Sequence, residues 1–148
     1  LITEHPAPDD IHKWLDRVID THTLQLENPS HFSVVTCNDA HIQTLNKTYR
    51  DKDKPTNILS FPDGAMDEGK IHLGDLIIST ETMTKEADDM GITTGDHWCH
   101  ILVHGILHLL GHDHEKQEEA TEMENLEVEW LARMGIKNPY EDTEIMTG

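Results

Sequence analysis

The stretch His104–His114, "HGILHLLGHDH", places imidazoles and aliphatic side chains at helical spacing. Read backwards, the same periodicity extends to about Gly95, so Gly95 to Leu110 is expected to form one long helix. At ~100° per residue, His97, His100, His104 and His108 fall on a stripe roughly 80° wide. Leu102, Val103, Ile106, Leu107, Leu109 and Leu110 take the opposite side. Such a helix buries one face in the core and turns an imidazole-rich face toward a cleft. The other elements must pack around it.

Six of the twelve histidines lie between His97 and His114. His97 and His100 read as ordinary residues of a solvated helix face. The other three read differently. His104 and His108, four apart, stand one turn above another and can aim at one ion. Gly111 follows the last apolar residue and can take the left-handed conformation that stops a helix, letting His114 fold back over the pair. Three neutral imidazoles with one vertex open describe a catalytic zinc site better than a structural one closed by four ligands. The expectation is one Zn²⁺ per chain on His104, His108 and His114, with nickel, copper or iron compatible with the same donors. Asp113 reads first as a turn residue bonding its own backbone.

Zinc peptidases with this spacing carry a glutamate directly after the first histidine, and here that position is Gly105. A glycine inside a helix costs ~1 kcal/mol against alanine. Two explanations stand: a close helix–helix contact, or an open approach to the metal for a bulky polymer.

Outward from this helix, helical and strand patterns alternate. Ile11, Trp14, Leu15, Val18 and Ile19 mark a first helix, with Asp9 or Asp10 as cap. A strand is expected from about Phe32 to Cys37, then a helix through Ile42, Leu45 and Tyr49 capped by Asn38 or Asp39. "TNILSFP" reads as a second strand that stops at Pro62 and Gly64, and "KIHLGDLIIST" as a third beyond the turn-rich "DGAMDEG". "TETMTKEADDMG" is a helix closing on Gly91. The last helix turns Met123, Leu126, Trp130, Leu131 and Met134 inward and ends at Gly135. The expected fold is therefore α/β: a small mixed sheet of three to four strands covered by about five helices, with the metal site on a central helix. With 148 residues and no internal repeat or long linker, residues 1–148 read as a single domain.

No run of about twenty apolar residues is present, and "LITEHPAPDD" lacks a secretory pattern, so no membrane association is expected. Cys37 and Cys99 are expected as free thiols in a reducing cytoplasm. The net charge of −18 opposes long-range attraction to nucleic acid or membrane surfaces. It is uneven, though: Lys47, Arg50, Lys52 and Lys54 place four of the eleven bases in "KTYRDKDK", whereas Glu115 to Gly148 holds ten acids and three bases. A local basic face on an acidic body and two solvated loops of mixed charge are equally compatible with that distribution. Phe32, Phe61, Tyr49 and Tyr140 are scattered and offer no obvious base-stacking platform.

Taken together, "YRDKDKPTNILSFP", "HLGDLIIS" and "HGILHLLGHDH", in that order, resemble the three sequence blocks of the YbeY family of bacterial endoribonucleases. The resemblance covers most of the chain. It implies a metal-dependent, single-strand-specific RNase of the cytoplasm that acts on ribosomal RNA, notably at the 3′ end of the small-subunit RNA, and in ribosome quality control. By the same resemblance the metal ligands fall on His104, His108 and His114, and the functionally important arginine on Arg50. The implied partners are single-stranded rRNA and the small ribosomal subunit with its associated proteins, not DNA. The chain departs from the family at His112, usually tyrosine, and at Asn57, often aspartate. The family also usually begins with an additional strand, which this chain is expected to lack.

The chemistry agrees with the missing glutamate. Zn²⁺ can lower the pKa of its water to ~7, so phosphodiester cleavage needs no separate base, and a fixed guanidinium can offset charge on the phosphoryl oxygens. Arg50 and His104 are thus the catalytic candidates, with Lys47, Lys52 and Lys54 as candidate substrate contacts. Two rivals are a zinc peptidase-like hydrolase and a non-catalytic, metal-containing ribosome-assembly factor.

Overall fold

Residues 8–21, 30–67, 69–111 and 117–140 are described by the structure, a computed structural model. The elements run α1 (Pro8–Thr21), β1 (Ser30–Cys37), α2 (Asp39–Arg50), β2 (Ile58–Asp67), β3 (Lys70–Ser79), α3 (Thr80–Met90), α4 (Thr94–Leu109) and α5 (Gln117–Arg133). The strands form a mixed sheet ordered β1-β3-β2, with β1 parallel and β2 antiparallel to β3. The α/β class, the strand number and the five helices follow the expectation from sequence.

Local chemistry fixes most boundaries. Asn38 caps α2 by accepting from His41 N at 2.8 Å, and α2 ends at Asp51, whose φ of 58° is left-handed. Ser79 caps α3 through Thr82 N, and its hydroxyl donates to Asp39 at 2.5 Å. Asp39 also accepts from the Thr82 hydroxyl, so one carboxylate ties the starts of α2 and α3 together. α1 differs from expectation: Asp9 and Asp10 lie inside its first turn, because Pro8 takes the first helical position, where a missing N–H costs nothing.

β2 also departs from the reading that ended it at Pro62 and Gly64. It continues to Asp67 past both residues. A proline is tolerated because β2 lies at the edge of the sheet, where an N–H can face away from the ladder. The extra residues are absorbed by a register shift between Pro62 and Ala65, with Gly64 at φ 73°. Opposite the bend, Gly74 has φ 144°, and a Cβ there would fall 2.2 Å from the Phe61 carbonyl oxygen.

α4 is the central helix. Trp98, Cys99, Leu102, Val103, Ile106 and Leu107 are buried on it, against Leu76 and Ile78 of β3, Met83 of α3, Val18 of α1 and Met123 and Leu131 of α5. Gly105 is buried on the sheet side, where a Cβ would come within 2.7 Å of Ile58 Cδ1 and 2.9 Å of Leu76 Cδ2. Its missing side chain is therefore explained by close helix–sheet packing, not by a helix–helix contact or an open approach to the metal. Gly95 plays the same part against α1, where a Cβ would meet the Trp14 indole at 2.6 Å.

Candidate active site

With Gly105 against the sheet, α4 places His104 and His108 beside the start of β2. His104 and His108 line a cleft of about 540 Å³ whose other walls are the end of α2, the loop after it and the start of β2. Their Nε2 atoms stand 3.2 Å apart. His97 and His100 do not line the cleft with them, and His97 is buried, contrary to the solvated-face reading.

Each of those two histidines meets a carboxylate. His97 Nε2 lies 2.9 Å from Glu86, which also accepts from Asn57 Nδ2 at 3.0 Å. Burial pushes the Glu86 carboxyl up, but the hydrogen bonds from His97 and Asn57 and the nearby imidazoles outweigh it and hold the group below the usual range. Asn57, a cleft residue, is thus anchored from behind.

Glu127 of α5 is the larger surprise. It is 1% exposed and accepts from three groups: His104 Nδ1 at 2.5 Å, His100 Nε2 at 3.3 Å, and the Tyr140 hydroxyl. Burial alone would raise its pKa, yet the hydrogen bonds from His100, His104 and Tyr140 bring it down to about 2. An ionised carboxylate can only accept, so His104 Nδ1 must carry a proton. In the neutral ring, Nε2 then keeps its lone pair and directs it into the cleft.

That lone pair bears on whether a metal fits. Two imidazoles bound to one tetrahedral zinc at ~2.0–2.1 Å hold their nitrogens roughly 3.3–3.4 Å apart, close to the 3.2 Å found here. Among the described residues no third His, Cys, Asp or Glu joins this pair. His114, with His112 and Asp113, lies outside the described residues. Gly111 does have the left-handed backbone, φ 100°, that its role as a helix stop requires.

Across the cleft, Arg50 donates Nη2 to the Ser60 carbonyl at 2.8 Å and lies with Cζ 5.1 Å from the Phe61 ring centroid. Lys52 and Lys54 also line the cleft. Lys47 does not; it points away and pairs with Asp53 at 3.9 Å. The described lining contains no carboxylate. Tyr49 and Phe61, apart in sequence, meet edge to face at 5.4 Å beside Arg50. Glu86 and Glu127 went unnoticed in the sequence, and Tyr140 was read only as a scattered aromatic residue. For Glu127 a signal existed: it sits on the apolar stripe of Met123, Leu131 and Met134, where a carboxylate must find donors.

Comparisons with known proteins agree with this architecture. A family model described as endoribonuclease YbeY matches residues 3–135. The endoribonuclease YbeY of Francisella tularensis subsp. novicida is 44% identical over 155 residues, covering 98% of this chain and 92% of that protein. The Francisella philomiragia protein of the same name is 43% identical over 148 residues, covering 95% and 92%. The solution structure of TM1509 from Thermotoga maritima shares the fold, with a TM-score of 0.61 at 19% identity, covering 96% of this chain and 90% of that one. With a paired imidazole cleft on its central helix and this likeness along nearly its whole length, the chain belongs to the YbeY endoribonuclease family.

Proposed function

We propose that the chain is a metal-dependent, single-strand-specific endoribonuclease of ribosomal RNA processing, acting at the 3′ end of small-subunit RNA and in ribosome quality control. Its metal is one zinc ion held by His104, His108 and His114. Family membership supports the reaction class. The observation that carries the site is the convergence of two Nε2 atoms, 3.2 Å apart, in a cleft shared with Arg50, Lys52 and Lys54.

When bound, the ion supplies Lewis acidity toward a phosphoryl oxygen and an acidified water. The protein's own groups do the rest. Glu127 holds the His104 ring in the tautomer that presents Nε2. The Arg50 guanidinium, steadied by the Ser60 carbonyl and the Phe61 ring, has donors left for a phosphoryl oxygen and offsets charge as it develops there. Lys52 and Lys54 attract the strand. Lys47, turned toward Asp53, is the weakest of the three proposed substrate contacts. A peptidase reading has less support, because among the described residues the lining offers no carboxylate to carry a proton to a leaving amine, and Gly105 faces the sheet.

The acidic body has a use in this scheme. A net charge of −18 weakens general attraction to RNA, leaving delivery to the small ribosomal subunit and its associated proteins in the cytoplasm. Among the described residues no helix is long and apolar enough to cross a membrane.

The test is to incubate zinc-loaded protein with single-stranded RNA and with an unfolded polypeptide. RNA cleavage that disappears with a chelator and returns with zinc is the expected result. Cleavage of the polypeptide alone, or RNA cleavage indifferent to metal, overturns the proposal.

A further inference from the structure

One wall of the cleft, the start of β2, enters the chemistry above only by steadying Arg50. Among the described residues β2 is an outer strand, and β3 occupies one of its two edges. The Asn57 carbonyl accepts from Ser79 N at 3.0 Å. Opposed residues of an antiparallel pair alternate between bonded and non-bonded positions. Asn57, Leu59 and Phe61 therefore turn their backbone groups toward β3, while Ile58 and Ser60 turn theirs outward. The Arg50 bond to the Ser60 carbonyl, made from outside the sheet, agrees with that alternation. Residues 58–60 line the same cleft as His104 and His108.

The outward edge thus presents two N–H donors, from Ile58 and Ser60, about 6.8 Å apart along the strand, with the Ile58 carbonyl as the acceptor between them. An ordinary free edge offers donors and acceptors in turn, and an extended polypeptide pairs with both. Here Arg50 occupies the Ser60 acceptor and puts a positive charge in its place. Lys52 and Lys54 add charge of the same sign to the cleft. With two donors to one remaining acceptor, and flanked by cations, this edge suits an anionic polymer better than a neutral one.

We propose that this edge of β2 is a rail for the phosphodiester backbone of an extended single RNA strand, which the Ile58 and Ser60 N–H groups hold alongside His104 and His108. In this arrangement Arg50 determines specificity as well as supplying charge, because its bond to the Ser60 carbonyl removes an acceptor that a polypeptide would use. The inference deepens the ribonuclease reading and rests on it.

Two measurements test the rail on the full chain, with a short single-stranded oligoribonucleotide as probe. The first compares Ser60→Pro with Ser60→Ala. Both lose the hydroxyl, only proline loses the N–H, and an edge strand that already holds Pro62 accommodates it. The proline variant is expected to bind about tenfold more weakly than the alanine variant, as suits one hydrogen bond to a charged acceptor. Equal affinities would overturn the rail. The second needs no substitution and decides the matter should the proline variant fail to fold. On adding the oligonucleotide, the amide proton resonances of Ile58 and Ser60 are expected to move more than that of Leu59, which faces β3. Bound RNA that leaves Ile58 and Ser60 no more shifted than Leu59 overturns the rail, as does an extended neutral peptide that shifts them where RNA does not. A protein that neither binds nor cuts single-stranded RNA overturns both readings. One that cuts RNA with those two amides unmoved overturns the rail alone.

Discussion

Glu127 shows at the residue scale how one buried charge can organise a site. Removing a carboxylate from water costs several kcal/mol, and three donors offset that here: His100, His104 and Tyr140. A metal-binding imidazole whose second nitrogen is held by a carboxylate is fixed in orientation and made more basic. If zinc binds as proposed, Glu127→Gln is expected to weaken its retention by about 10–100-fold with the fold preserved, read by competition with a chromophoric chelator. Unchanged affinity would remove Glu127 from the site's design. The cysteines make a second residue-scale case. Burial pushes the Cys99 thiol up to about 11, and burial together with Asp39 raises Cys37. Thiolate is the reactive species. At pH 8 a thiol reagent is expected to modify half-buried Cys37 slowly and Cys99 only after denaturant is added; rapid native labelling of both would contradict the packing described.

The close approach of α4 to the sheet is a matter of whole elements. Gly105 and Gly95 let the helix touch side chains of β2, β3 and α1 that a Cβ would displace. In Gly105→Ala, better helix propensity returns ~1 kcal/mol, while overpacking in a filled core costs about 1–3 kcal/mol. The contacted atoms are the ends of Ile58 and Leu76, which can give a little. The expected net result is a destabilisation of about 1 kcal/mol, measured as a lower denaturant midpoint with an unchanged slope. A gain in stability would mean that the helix does not sit this close. The helical period of α4 was plain in the sequence because its aliphatic and imidazole side chains recur at helical spacing and its ends carry cap signals. The course of β2 was not. Pro62 and Gly64 are turn residues by local preference, and only the position of the strand at the sheet edge makes them harmless.

For the molecule as a whole, charge and pH carry the remaining expectations. Because only Arg50, Lys52 and Lys54 hold the strand against a net charge of −18, cleavage of naked RNA is expected to be slow and to weaken as salt rises. Tight, salt-insensitive binding of random RNA would contradict this. Acid should loosen the link between α3, α4 and the β2 loop at Glu86, whose folded pKa is lowered by His97 and Asn57 after outweighing burial. A group with a depressed folded pKa stabilises fully above its unfolded value, about 4.3, and loses that contribution as the pH falls below it. Glu86→Gln is therefore expected to flatten the acid side of the stability–pH curve, followed by thermal midpoint from pH 6 to pH 3. An unaltered curve would show that the Glu86 contacts contribute nothing. Within the sequence itself, helical periodicity determined the central helix and its imidazole face, and four-residue spacing determined the His104–His108 pair, because neighbours on one helix turn need no other part of the chain to meet. The partners of those imidazoles were decided only by tertiary structure. Glu127 reaches His104 from 23 positions away, Tyr140 reaches Glu127 from a further 13, and Arg50 reaches the β2 edge across a loop. Which donor a buried carboxylate finds, and which strand edge is left open, depend on how elements pack, and local spacing carries no record of that.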